Sequence, residues 1–197
     1  MKNRNAIAAA LLAGVLSVAG CSSNSQGDDA SPVFLSVSYN LLPEAWNVGS
    51  GAALQFEETE LKSVLKNPTG GTSSFLDTRL DDYVVEWQRI DGGTKVPEPE
   101  TFGGNVLVPA GGTSSLTNYP YMSRTALLRA PLDQLLPFNG GIDRETGRSE
   151  IRCRATVTYR GRTLSGQPVR GVGFLRHDVS LQRRDPERRR PGELRTA

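Results

Sequence analysis

"IRCRATVTYR", residues 151–160, is the stretch whose reading decides the fold. Ile151, Cys153, Ala155, Val157 and Tyr159 fall on one side of an extended chain. Arg152, Arg154, Thr156, Thr158 and Arg160 fall on the other. Alternation with a period of two predicts a strand with one face in a core and one in water. "GRTLSGQP" (161–168) reads as a turn region, and "VRGVGFLRHDVSL" (169–181) as the returning strand. Gly171 and Gly173 predict a bulge there, because the apolar phase shifts between Phe174 and Leu175.

Other segments repeat the pattern on the amino-terminal side. "PVFLSVSY" (32–39) puts Val33, Leu35, Val37 and Tyr39 together, and "DYVVEWQRID" (82–91) does the same for Tyr83, Val85 and Trp87 before an Asp91-Gly92-Gly93 turn. "AALQFEET" (52–59) and "LKSVLKN" (61–67) are two further strand candidates. "GNVLVP" (104–109) and "TSSLTNYPYMSRTALL" (113–128) continue the series. "APLDQLLPF" (130–138) alone reads as helical, a short turn opened by Pro131 and closed by Pro137. Gly-Gly-Thr-Ser-Ser occurs at 70–74 and 111–115; neither copy is followed by Lys or opens a helix, so both read as turns, not phosphate cradles.

Short strands, Gly-rich turns and almost no helix predict an all-β antiparallel sandwich. An inward Trp87 with Cys153 and Tyr159 on a late strand resembles the immunoglobulin pattern. The resemblance implies an immunoglobulin-like β-sandwich, though no early-strand cysteine is present to complete that family's bridge. "VTYRGRTLSGQPV" (157–169) is also similar to small domains of bacterial lipoproteins, a likeness that carries no function.

The amino end predicts where such a domain works. Lys2 and Arg4 form a positive region, Ala6 to Val18 an apolar one, and small residues follow, as in a secretory signal. The apolar run is shorter than the roughly 20 residues a bilayer crossing needs. "LSVAGC" (16–21) resembles the lipobox of bacterial lipoproteins. That resemblance implies cleavage after Gly20, a diacylglycerol thioether on Cys21, and acylation of the new amino terminus. Ser22 after the cysteine implies sorting to the outer membrane. "SSNSQGDDAS" (22–31) reads as a flexible tether with an end-to-end distance of about 18 Å. The expected organisation is therefore signal 1–20, lipidated tether 21–31, sandwich 32–182 and basic tail 183–197.

The formal charge of +2 divides unevenly. Residues 1–20 carry +2 and the tail +3, which leaves −3 for 21–182. A mildly acidic body gives no electrostatic ground for a nucleic-acid partner. The tail is proline-broken and reads as disordered, able to touch anionic lipid or an envelope polymer.

Candidate chemistry is sparse. His177 is the sole histidine and no Gly-x-Ser-x-Gly elbow precedes it, which argues against a Ser–His–Asp enzyme. One His and one Cys beside Cys21 fall short of a zinc site. Cys153, inward between Ile151 and Ala155, reads as a buried thiol. Asp77, Asp81 and Asp82 are the candidate calcium ligands, although they lack the Asp-x-Asp-x-Asp-Gly spacing. Those aspartates, together with Glu57, Glu58 and Glu60 and with Glu98 and Glu100, are the acidic clusters from which a carboxylate enzyme acting on carbohydrate would draw. No cofactor is expected. The reading is a lipid-anchored envelope protein, a non-enzymatic binding or structural module whose partners are the membrane, through Cys21, and an envelope protein or polysaccharide. The alternatives are that carbohydrate-active enzyme and a calcium-stabilised adhesion module.

Overall fold

The computed structural model describes residues 31–41, 45–175 and 179–182. Residues 1–30 with Cys21, residues 176–178 with His177, and the tail 183–197 lie outside the described residues. In chain order the elements are β1 (Val33–Leu41), β2 (Ala45–Asn47), β3 (Leu54–Leu65), β4 (Thr78–Arg89), β5 (Glu100–Val108), β6 (Thr113–Met122), α1 (Arg124–Leu127), β7 (Glu150–Thr163), β8 (Pro168–Phe174) and β9 (Val179–Gln182).

The strand read from 151–160 is the spine of the larger sheet. All five of its inward residues are buried, and burying each large apolar side chain contributes about 1.5–3 kcal/mol. β4 pairs antiparallel along one side of β7, with Trp87 opposite Ala155 and Tyr83 opposite Tyr159. On the other side β8 takes the later half of β7 and β9 the first few residues. The full order is β2-β9-β7-β4-β5, with β8 also on β7; β2 joins β9 in parallel. The smaller sheet is β1-β3-β6, antiparallel throughout. The β1-β3-β6 sheet packs against the β5-β4-β7-β8 face of the larger sheet as an all-β sandwich.

The sheets meet over a core of aliphatic side chains and stacked rings. Phe56 lies between Tyr39 and Tyr121, with ring centroids 5.1 and 4.7 Å apart. Tyr121 meets Trp46 edge-on at 5.0 Å and Trp87 at 5.8 Å. Such offset and edge-to-face pairs add to the stabilisation from area alone. Tyr83 donates its hydroxyl to the carbonyl of Pro120, joining the two sheets.

Several expectations are corrected. The bulge expected at Gly171 and Gly173 is absent: β7 and β8 run in unbroken register from Thr156–Phe174 to Arg162–Pro168. Those glycines are present because β1 crosses close by. A methyl group at Gly171 would sit 2.9 Å from Leu35 Cδ2 and 3.0 Å from the Leu35 carbonyl oxygen, and one at Gly173 would enter the ring of Tyr39. The returning segment is instead two strands, β8 and β9, stacked along one edge of β7. The candidates at 52–59 and 61–67 are one strand, β3, paired with β6 from Leu54 to Lys62 and with β1 from Glu58 to Leu65; its inward phase shifts between Phe56 and Thr59, beside an irregularity in the β1 pairing. The strand candidate at 113–128 stops at Met122, where the Ser123 hydroxyl accepts the Ala126 N–H and caps α1. Pro131 and Pro137 do bracket a short 3-10 turn, and Pro137 opens a second. The expected tether ran to residue 31, but Ser31 is buried and bonded through its hydroxyl to Val33, so that residue belongs to the packed domain.

The two ends of the sandwich differ. One carries the entry of the chain at Ser31 and the connections 66–77, 109–112 and 164–167. The first Gly-Gly-Thr-Ser-Ser copy lies in the 66–77 connection at this entry pole, but of the second only Gly111 and Gly112 belong to a turn, since Thr113–Ser115 open β6; Gly111 lies close to Thr72. The other pole carries the connections 90–99 and 123–149.

Candidate functional site

At the second pole, the inward phase of β4 does not end at Trp87. Residues 83, 85, 87 and 89 share that phase, so the sheet drives an arginine into the interior. The Arg89 side chain is 2% exposed. A cation so buried is stable only when paired and hydrogen-bonded. Its Nε and Nη2 grip Asp91 Oδ1 and Oδ2 at 2.7 and 2.9 Å in a two-point fork. Nη2 also donates to Asp143 Oδ2 at 2.8 Å, and Nη1 donates to the Lys95 carbonyl at 3.2 Å and to Glu145 Oε2 at 3.4 Å.

The carboxylates extend the network into the backbone. Asp91 accepts the N–H groups of Gly93 and Arg152, and Asp143 accepts both donors of Thr146. Glu145 accepts the N–H groups of Thr94 and Lys95 and the Thr94 hydroxyl. Arg89 thereby ties the 90–99 connection, the 123–149 connection and the start of β7 to one guanidinium. Burial alone raises the Asp91 carboxyl, but bonds from Arg89, Arg152 and Gly93 outweigh it and hold the group at about 2. The same contest lowers Asp143, where bonds from Arg89 and Thr146 prevail. Bonds from Thr94 and Lys95 lower Glu145.

A clasp of this kind gives a long connection a fixed shape. Residues 123–149 form a long connection that carries α1 and two 3-10 turns, and binding residues are disproportionately found on loops held by a rigid scaffold. Large apolar side chains stand in water on the clasped segments: Phe138 is 79% exposed, Leu128 55% and Ile142 48%, with Val96 on the 90–99 connection at 40%. Exposed apolar groups on an ordered scaffold suit contact with a partner.

The residues singled out from sequence are dispersed. Cys153 is buried opposite Arg89 in the β4–β7 register, and burial pushes its thiol up to about 12. Asp77 accepts the Ala110 N–H at 2.8 Å and so fastens one turn of the entry pole to another. Asp81 pairs with Arg79 and Asp82 with Arg160. The three aspartates therefore have separate protein partners, and among the described residues no group of three or more His, Cys, Asp or Glu side chains could hold a metal ion. Glu98 and Glu100 share a cleft of about 60 Å³ with Ala126 and Arg129. Ligand pockets are typically ~300 Å³ or more. Glu98 is bonded to Arg129, and Glu100 to the Ser123 N–H. Among the described residues no helix is long and apolar enough to cross a membrane. Cys21 and His177 lie outside the described residues.

Sequence reasoning missed Arg89, Asp91 and Asp143 as a unit. The signal was present at Arg89, a charge in the phase of Tyr83, Val85 and Trp87. Comparison with family models, with curated proteins and with solved structures finds no match for the chain.

Proposed function

We propose that this chain is a lipid-anchored protein of the bacterial cell envelope whose sandwich is a non-enzymatic binding module. Acyl chains on Cys21 hold it to a membrane, and the pole clasped by Arg89 meets an envelope partner. The observation that carries the reading is the polarity of the domain. The chain enters at Ser31 at one pole, and Phe138, Leu128 and Ile142 stand exposed on a clasped connection at the other. A domain leashed by one pole presents the opposite one outward. Confinement raises the effective concentration of that pole toward partners in the same layer, so a modest contact suffices. Two or more acyl chains give the stable anchorage that one alone does not.

The test is a photo-reactive amino acid in place of Phe138, irradiated in intact cells. The account expects one reproducible adduct, lost when Cys21→Ser releases the domain from the membrane and weakened at least tenfold by Ile142→Ser. Adduct formation indifferent to both changes overturns it. The enzyme reading predicts a different result, a hydrolytic activity abolished by Glu98→Gln or Glu100→Gln.

A further inference from the structure

The entry pole carries its own pattern. Phe75, 68% exposed on the 66–77 connection, and Leu164, half exposed on the β7–β8 turn, belong to loops joined backbone to backbone. Ser165 N donates to the Phe75 carbonyl and Leu164 N to the Asp77 carbonyl, both at 2.9 Å. Two apolar tips are thus held side by side at the end where the chain enters.

Beneath them, the outer face of the larger sheet is crowded with arginine. Arg79 stands directly opposite Arg162, and Arg160 directly opposite Arg170. Like charges facing each other across a ladder destabilise a sheet. Asp81 and Asp82 answer only one member of each pair, Arg79 and Arg160. Arg162 and Arg170 are exposed and have no ion-pair partner among the described residues. Two opposed cationic pairs beside two apolar tips match a surface that is anionic above and apolar below.

We propose that this pole docks on the membrane that carries the anchor. Phe75 and Leu164 enter the headgroup region of the bilayer, and Arg162 and Arg170 bind its anionic phosphates. The inference rests on the proposed lipidation of Cys21. Read as a flexible tether, the nine residues between that cysteine and Ser31 span on the order of 16 Å, which keeps this pole and not the opposite one within reach of the headgroups. Arg suits the role because its planar fork takes phosphate two-point, and apolar tips with neighbouring basic groups are the pattern of interfacial binding. Docking converts a loose leash into a fixed orientation, with the Arg89 pole facing away.

The test uses the lipidated full-length protein purified from membranes and reconstituted into vesicles of phosphatidylglycerol and phosphatidylethanolamine brominated on their acyl chains. Flotation reports the anchor, and bromine quenching of tryptophan reports the loops. Phe75→Trp is expected to show at least twofold more quenching than the parent, whose Trp87 is buried in the core and whose Trp46 is partly buried against it. Leu164→Trp is expected to do the same independently. The excess should vanish with Arg162→Gln and Arg170→Gln combined, or when phosphatidylcholine replaces the anionic lipid. Flotation without excess quenching in either variant overturns the docking and leaves the anchor intact. Failure to float overturns both.

Discussion

Arg89 Nη2 lies 2.8 Å from Asp143 Oδ2, a bond between residues 54 positions apart that fastens the 123–149 connection to the last inward position of β4. The pair is closed to water, with side-chain exposures of 2% and 0%. Charges so enclosed hold only while both are present. Arg89→Met is therefore expected to cost about 3–5 kcal/mol, because Asp91 and Asp143 stay buried without their cation. Thermal unfolding checks it, with a melting temperature lowered by roughly 10 °C or more. Arg89→Lys should recover little, since an ammonium cannot span Asp91 Oδ1, Asp91 Oδ2 and Asp143 Oδ2 together.

The same cluster gives the domain an acid limit. The Asp91 carboxyl sits at about 2 when folded, below the ~3.9 of an unfolded chain. The unfolded state takes up the proton first as pH falls. Stability from this group is thus complete above about pH 4 and is lost on the way down to pH 2, amounting to about 2 kcal/mol. Asp143 is lowered in the same sense. Urea midpoints measured between pH 5 and pH 2 should fall across that window, and the fall should be shallower in Asp91→Asn.

Cys153 should be inert while the fold persists. Burial raises its thiol to about 12, leaving almost no thiolate at neutral pH. Iodoacetamide at pH 8, followed by mass analysis of the peptide bearing Cys153, should find it unmodified in the native protein and fully modified in denaturant. Native modification at a rate comparable to free cysteine would contradict the packing described.

Gly171→Ala probes the closure of the sandwich. The added methyl meets the Leu35 carbonyl oxygen at 3.0 Å, and a backbone atom cannot rotate aside. A loss of about 1–3 kcal/mol is expected, measured by chemical denaturation, as in overpacked cores. An unchanged midpoint would mean that β1 does not lie against β8.

What the sequence disclosed follows from the range of the interactions. The face assignment of β7 was readable because alternation is local, and Ile151 through Tyr159 are buried as their phase requires. The turn at Asp91-Gly92-Gly93 was readable for the same reason. The purpose of Gly171 and Gly173 was not, since the groups they make room for, Leu35 and Tyr39, are more than a hundred residues away in sequence. Nor was the clasp: Asp143 and Glu145 look like solvated loop charge until Arg89 is placed beside them. The two-sided meaning of the poles, with Phe75 at one and Phe138 at the other, appears only once strand register fixes which connections share an end.

The central claim is that Cys21 carries lipid and ties this sandwich to a membrane. Mass analysis of the amino-terminal peptide of the protein isolated from its native envelope tests it most directly. The account predicts a chain beginning at Cys21 with a diacylglyceryl group on sulfur and an acylated amine. A mature chain that begins elsewhere, or begins at Cys21 with its sulfur and amine unmodified, contradicts it.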